Sequence, residues 1–368
     1  MKYLLLSAVL LLTAFTTETN QKSNPSKIQI ALLLDTSNSM DGLIEQAKGK
    51  LWSIVNEFSR YEKGTEPPQL EIALFEYGND GLSRYENWIR QISAFTTDLD
   101  FISEKLFELR TNGGSEYCGT VIHEANQKLE WSRINDDLKL IFIAGNEIFN
   151  QGKFNYREAC SESVGKDIAI NTIFCGDYEQ GIRELWKEGA TLGKGKYLNI
   201  DQNKELSYIE TPYDEEIQQL NYQLNNTYIW YGSEGSNKKA NQSVQDKNAS
   251  SYSRSNLVER AVSKISKIYS NDKWDAVDAI EKGTIEAEEL AEEENLAPEL
   301  KGKSAEEIEQ YLTDKKRERS EISKKIADLN IKRMAYIEKN SSEEENTLDA
   351  AIKRAVADLA KHKGYKLK

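Results

Sequence analysis

The chain has little of what most catalytic centres are built from. Only two histidines occur in 368 residues, His123 and His362, so a histidine-built metal or catalytic site has too few ligands. The three cysteines, Cys118, Cys160 and Cys175, form no CxxC pair and have no histidine at zinc spacing, which argues against a zinc site. There is no P-loop, no GxSxG and no HExxH, and no pair of carboxylates is singled out by its spacing. The expectation is that the chain is not an enzyme. Basic residues are outnumbered 48 to 61, giving a net charge of −13, which excludes a nonspecific grip on nucleic acid. That balance suits a soluble protein or one that holds cations. Long apolar runs are also missing: the block from Tyr3 to Leu12 is too short for a comfortable membrane span, and nothing later approaches one.

What is present divides the chain into dissimilar parts. The opening MKYLLLSAVLLLTAFTTETN has one lysine, an apolar block, then small and polar residues, the layout of a secretory signal peptide over residues 1–17. A periplasmic or secreted location follows. The alternative is an inner-membrane anchor formed by an uncleaved signal. From residue 27 to about 205, buried-looking strands (IQIALLLD, LEIALFEYG, LKLIFIAG, DIAINTIFCG) alternate with amphipathic helices, and ENWIRQISAF reads as an edge strand. This predicts an α/β fold with a doubly wound, mostly parallel sheet covered on both faces. Residues 213–226 predict a helix, and the polar stretch from 232 to 256 predicts a linker with too few apolar groups to pack. Residues 257–368 recover helical spacing and should be α-helical, separable from the sheet and partly coiled coil, with 304–340 pairing with 347–361 or self-associating.

Chemistry gathers at the end of the first strand, where DTSNS supplies Asp35, Ser37 and Ser39. Hard divalent cations such as Mg²⁺ take oxygen ligands, and a D-x-S-x-S turn offers one carboxylate and two hydroxyls. The same residues could instead form an Asx turn and a helix N-cap. In open α/β sheets, ligands sit outside the carboxyl ends of the strands, which is where this turn falls.

IALLLDTSNSM followed by an amphipathic helix resembles the von Willebrand factor type A (VWA) domain, whose metal-ion-dependent adhesion site begins with D-x-S-x-S. The resemblance covers roughly residues 27–200. TNGGSEYCGTVIHEA is similar to the family's second metal loop, with Ser115 in the place of its threonine. The family's third loop carries an aspartate. Here FIAGNEIFNQG puts Gly145 in that place, leaving Asn146 or Glu147 as replacements, of which Glu147 is the candidate ligand. The resemblance implies a bound Mg²⁺ or other divalent cation, completed by an acidic side chain from a protein partner. It further implies an exported protein acting in metal-dependent adhesion or protein–protein interaction. The alternative is a metal-independent envelope scaffold acting through its helical C-terminal region.

The cysteines allow one more expectation. Cys160 near the start of the helix after LIFIAGNE, and Cys175 at the end of DIAINTIFC, should both lie near the carboxyl edge of the sheet. A bridge between them would close a loop of about 15 residues, worth about 3 kcal/mol. Cys118 competes for either partner, and three reduced, buried thiols are the alternative.

Overall fold

The computed structural model describes residues 25–64, 67–204, 208–340 and 347–367. The expected signal peptide lies outside the described residues, as does the expected boundary at 205. Among the described residues no helix is long and apolar enough to cross a membrane.

In chain order the first half comprises β1 (Lys27–Asp35), α1 (Asp41–Phe58), β2 (Tyr61–Glu62), β3 (Gln69–Tyr77), β4 (Ile89–Thr96), α2 (Leu99–Glu108) and α3 (Cys118–Lys128). It continues with β5 (Leu138–Gly145), α4 (Tyr156–Gly165), β6 (Ala169–Cys175), α5 (Tyr178–Arg183), α6 (Trp186–Leu192) and β7 (Lys194–Ile200). Six of these strands form one sheet in the order β4-β3-β1-β5-β6-β7, parallel except for the antiparallel edge strand β4. The expected doubly wound α/β sheet is what the chain forms. β1 lies at the centre, with β3 on one side and β5 on the other. Its tip is therefore the point where strand order changes direction, the usual ligand crevice of such sheets.

Alternation along the strands sends side chains to two cores. Ile28, Ile30, Leu32 and Leu34 of β1 join Leu70, Ile72 and Leu74 of β3 on one face, while Ala31, Leu33, Ala73, Phe75 and Tyr77 point to the other. The second face is covered by α3, α4 and α6 through residues such as Val121, Ile122, Ala159 and Trp186.

The second half is α7 (Asp214–Asn225), α8 (Gly235–Tyr252), α9 (Arg254–Lys264), α10 (Ala276–Lys282), α11 (Ala287–Glu292), α12 (Ala305–Asn340), α13 (Leu348–His362) and β8 (Lys366–Leu367). It is helical, as expected, but three details differ. Residues 235–252 are a helix rather than a linker. α8 docks through buried polar groups (Gln242, Gln245 and Asp246), with Ala249 as its buried apolar residue, so hydrophobic spacing could not reveal it. Second, α13 does not fold back on α12 as a coiled-coil hairpin. It packs on α1 and β7, and its Leu348, Ala351, Ile352, Ala355 and Val356 belong to the first-face core. That stripe, with its alanines, is broader than an a/d seam and fits a globular core. α12 packs instead on α7, α9, α10 and α11.

Third, the helices are not separate from the sheet. Ile217, Leu220, Leu257, Val258, Ile322 and Ile326 share one continuous core with α1, α2 and the strands. Fully buried Arg260 of α9 donates to Asp100 of α2 at 2.6 Å and to Asp246 of α8 at 2.5 Å, with Lys264 Nζ 3.0 Å from Asp246. Such a group can be buried only because every charge has a partner. β8 pairs antiparallel with β2, returning the chain to the first half.

The expected Cys160–Cys175 bridge is absent: all three cysteines are free and buried. Cys175 points into the first-face core and Cys160 into the second, so the sheet itself lies between them.

Candidate metal centre

The site is built from three loops at the carboxyl edge of the sheet. The first follows β1. Asp35 is fully buried there, and its Oδ1 accepts from the Ser37 backbone N–H at 2.7 Å. That is the Asx turn the sequence allowed. It uses one carboxylate oxygen, while Oδ2 is buried without a hydrogen-bond partner. The second half of that local reading is not met: neither Ser37 nor Met40, the residues preceding the short 3₁₀ turn and α1, places a side-chain cap on its helix. The serine hydroxyls instead face each other, Ser37 Oγ and Ser39 Oγ being 3.2 Å apart.

The third loop, after β5, meets them through Asn146, whose Nδ2 donates to Ser39 Oγ at 3.1 Å. Glu147, the expected ligand, is exposed. Its carboxylate accepts from Gln151 at 3.3 Å and its carbonyl from Trp186 Nε1 at 2.7 Å. The structure thus brings Asn146 to the serines, and Glu147 turns aside. Gly145 also finds its reason. A Cβ there would lie 2.6 Å from the Tyr77 hydroxyl, 3.1 Å from Asp35 Oδ2 and 3.1 Å from the Trp186 ring. The space for a side chain is already filled from β3 and α6.

The second loop joins α2 to α3 and is tied to the first by Asn112 N–H donating to Thr36 O at 3.0 Å. Ser115 sits on it, half-buried, and makes no side-chain hydrogen bond to Asp35, Ser37 or Ser39 among the described residues. Its neighbour Glu116 is buried beside Asp35, the two side chains meeting over Gly78. Sequence reasoning missed Glu116 because nothing marks one glutamate in a glycine-rich loop until the fold delivers it to Asp35.

Electrostatics follow from this packing. Burial, then the nearby charge of Glu116, pushes the Asp35 carboxyl well above its ordinary value, and burial pushes Glu116 up as well. Burial also raises the Cys118 thiol and the Tyr77 phenol, whose hydroxyl is 3.8 Å from Cys118 Sγ and donates to Ala144 O at 3.0 Å.

For a divalent cation the donor chemistry fits at Asp35, Ser37 and Ser39: an orphaned, buried carboxylate oxygen beside two hydroxyls not used as caps. Among the described residues no three His, Cys, Asp or Glu side chains form a metal-holding group, so hydroxyl and amide oxygens or water would complete the shell.

No protein-family model matches the chain, and no curated protein matches it. Among solved structures it is similar to proximal thread matrix protein 1 from the mussel byssus, with 13% identity and a TM-score of 0.36 over 48% of this chain and 42% of that one. It is also similar to the SpRpn10 VWA domain, with 15% identity and a TM-score of 0.37 over 47% of this chain and 88% of that one. An aerotolerance-related membrane protein from Bacteroides fragilis gives 18% identity and a TM-score of 0.32 over 47% and 92%. The chain spans less than half the length of the mussel protein. Each of these matches takes in just under half of this chain.

Proposed function

We propose that this is an exported VWA-type protein that binds a partner protein through a divalent cation, Mg²⁺ in the first instance, seated at Asp35, Ser37 and Ser39. The observation that carries the reading is Asp35 Oδ2, fully buried and unpartnered beside two hydroxyls at the switch point of the sheet. A carboxylate oxygen left unsatisfied in a native core calls for an explanation, and a cation supplies one. Asp35 would hold the ion, Ser37 and Ser39 would add neutral oxygens, and Ser115 stands on the adjoining loop as a further hydroxyl. When bound, the cation supplies an electrophilic point for an acidic side chain of the partner. This role requires no turnover, and we read the protein as non-enzymatic.

The full chain titrated with Mg²⁺ and Mn²⁺ in a calorimeter tests the reading. Asp35→Ala should abolish binding, and unchanged affinity in that variant would reject the seat. Pull-down from envelope extracts with and without chelator then tests the partner. The second reading, a metal-independent scaffold, draws on Gly145, which leaves the third loop without an inward carboxylate. Chelator-insensitive capture of the same partner favours it.

A further inference from the structure

We infer that Glu116 is the second carboxylate of the Asp35 cation seat, replacing the one that the third loop lacks. The inference deepens the cation reading and rests on it. Asp35 has one oxygen committed to the Ser37 N–H and the other unpartnered in a fully buried position. Glu116 is 4% exposed, and its side chain lies beside that of Asp35. A methyl group built on Gly78 would lie 2.7 Å from Asp35 Oδ1 and 2.8 Å from Glu116 Cγ, so both side chains crowd the same face of that glycine. Among the described residues no lysine or arginine forms an ion pair with either carboxylate. Two buried carboxylates side by side are costly unless a cation or a shared proton joins them.

The third loop cannot supply the second charge. The Tyr77 hydroxyl, fixed by its bond to Ala144 O, and the Trp186 ring occupy the volume that a side chain at position 145 would need. Glu147 meanwhile spends its carboxylate on Gln151. The loop that carries Ser115 delivers Glu116 to the spot, and the two carboxylates balance a divalent cation without help from a partner. The ion is then resident in the free protein, and the partner meets a preformed site.

The test uses the full chain and Mn²⁺ alone, read by calorimetry, by the paramagnetic resonance signal of bound manganese, and by the rise in thermal midpoint on adding the ion. Glu116→Gln is expected to weaken Mn²⁺ by about tenfold or more, since affinity at oxygen sites follows the count of charged ligands. Glu116→Asp should fall between wild type and Glu116→Gln, and Glu147→Gln should match wild type. Wild-type affinity in Glu116→Gln, or an equal loss in Glu147→Gln, overturns the assignment. Should Glu116→Gln not fold, Glu116→Asp decides, because undiminished affinity there rejects it. Failure of the underlying reading looks different. In that case wild type binds no Mn²⁺, or Asp35→Ala binds it as well as wild type does, and the Glu116 assignment falls with it.

Discussion

The two faces of the sheet are built by different rules. One is closed by α3, α4 and α6, all drawn from the segment that also supplies the strands, and its core runs no further than Trp186. The other is closed by α1 and α2 together with α7, α9, α12 and α13, and its core takes residues from Ile28 to Tyr365. The first could be assembled from local strand–helix units. The second needs the end of the chain to return to the beginning, a connection with high loop-closure cost. A boundary drawn near residue 205 therefore describes one face well and cuts through the other.

The largest effect that would break this comparison comes from ending the chain at Asn340. That removes Leu348, Ala351, Ile352, Ala355, Val356, Ala360 and Tyr365 from the shared core. The expected loss is comparable with the stability of a whole domain, about 5–15 kcal/mol, so the truncated protein should lack a cooperative urea transition. A truncation that unfolds at the wild-type midpoint would show the sheet half to be independent after all.

Next in size is Arg260, which joins Asp100 on the sheet half to Asp246 on the helical half. Arg260→Ala leaves buried Asp100 without its cation and Asp246 with Lys264 alone, and should cost about 3–5 kcal/mol by chemical denaturation. Replacing Arg260, Lys264, Asp100 and Asp246 together with apolar residues of similar volume should cost far less, since the penalty arises from unpaired charge rather than lost attraction. Equal losses in both variants would mean that shape, not charge pairing, holds the halves together.

A smaller effect follows from pH. Burial pushes the Asp246 carboxyl up, but Lys264 and Arg260 outweigh it and hold the group below its ordinary value of 3.8. Asp349, buried likewise, is held down by Lys353, Lys50 and the hydroxyls of Thr347 and Ser53. For carboxylates depressed in the folded state, the unfolded chain binds more protons in the window below 3.8. Their stabilisation is thus present above that value and fades as pH falls through the folded-state value. Both groups belong to helices of the second half that dock on the first. Denaturation midpoints from pH 5 to pH 2.5 should fall, and less steeply in Asp246→Asn than in wild type. Parallel slopes would remove Asp246 from the account.

These contrasts also mark what could be read from residues alone. Apolar strands with polar tips gave the sheet, because burial on both faces leaves an unbroken run such as Ile30–Leu34. The same pattern located Asp35, Ser37 and Ser39 at the edge. Glu116 was not legible, and Asn146 was legible only as the alternative to Glu147, because their approach to Asp35 and Ser39 depends on how three loops distant in sequence come together. The glycine at 145 was legible as a departure, but its cause, the Tyr77 hydroxyl, belongs to another strand. α8 was hidden by its chemistry: a helix buried through Gln242, Gln245 and Asp246 carries no apolar stripe. α13 was legible as a helix but not in its placement, since a stripe of leucine, isoleucine and alanine does not name the surface it covers.

The smallest predicted effect reads both faces at once through the thiols. Cys160 and Cys118 lie in the self-contained core and Cys175 in the shared one. Burial raises all three thiols, Cys160 to about 12 with Glu188 adding to the shift, so none is a thiolate near neutral pH. Native protein at pH 8 should therefore resist a disulfide reagent, and three thiols should appear in denaturant. Ile352→Ala then discriminates. Ile352 shares a small apolar cavity with Ile173, two residues from Cys175, and truncating it should cost about 2–5 kcal/mol. If the shared face opens separately, alkylation of Cys175 should quicken by about tenfold or more, with Cys118 and Cys160 unchanged, because local openings follow local stability. Peptide mapping by mass spectrometry resolves the three sites. Equal acceleration at all three would mean that the two faces unfold as one unit, and a Cys160–Cys175 crosslinked peptide would contradict their placement on opposite sides of the sheet.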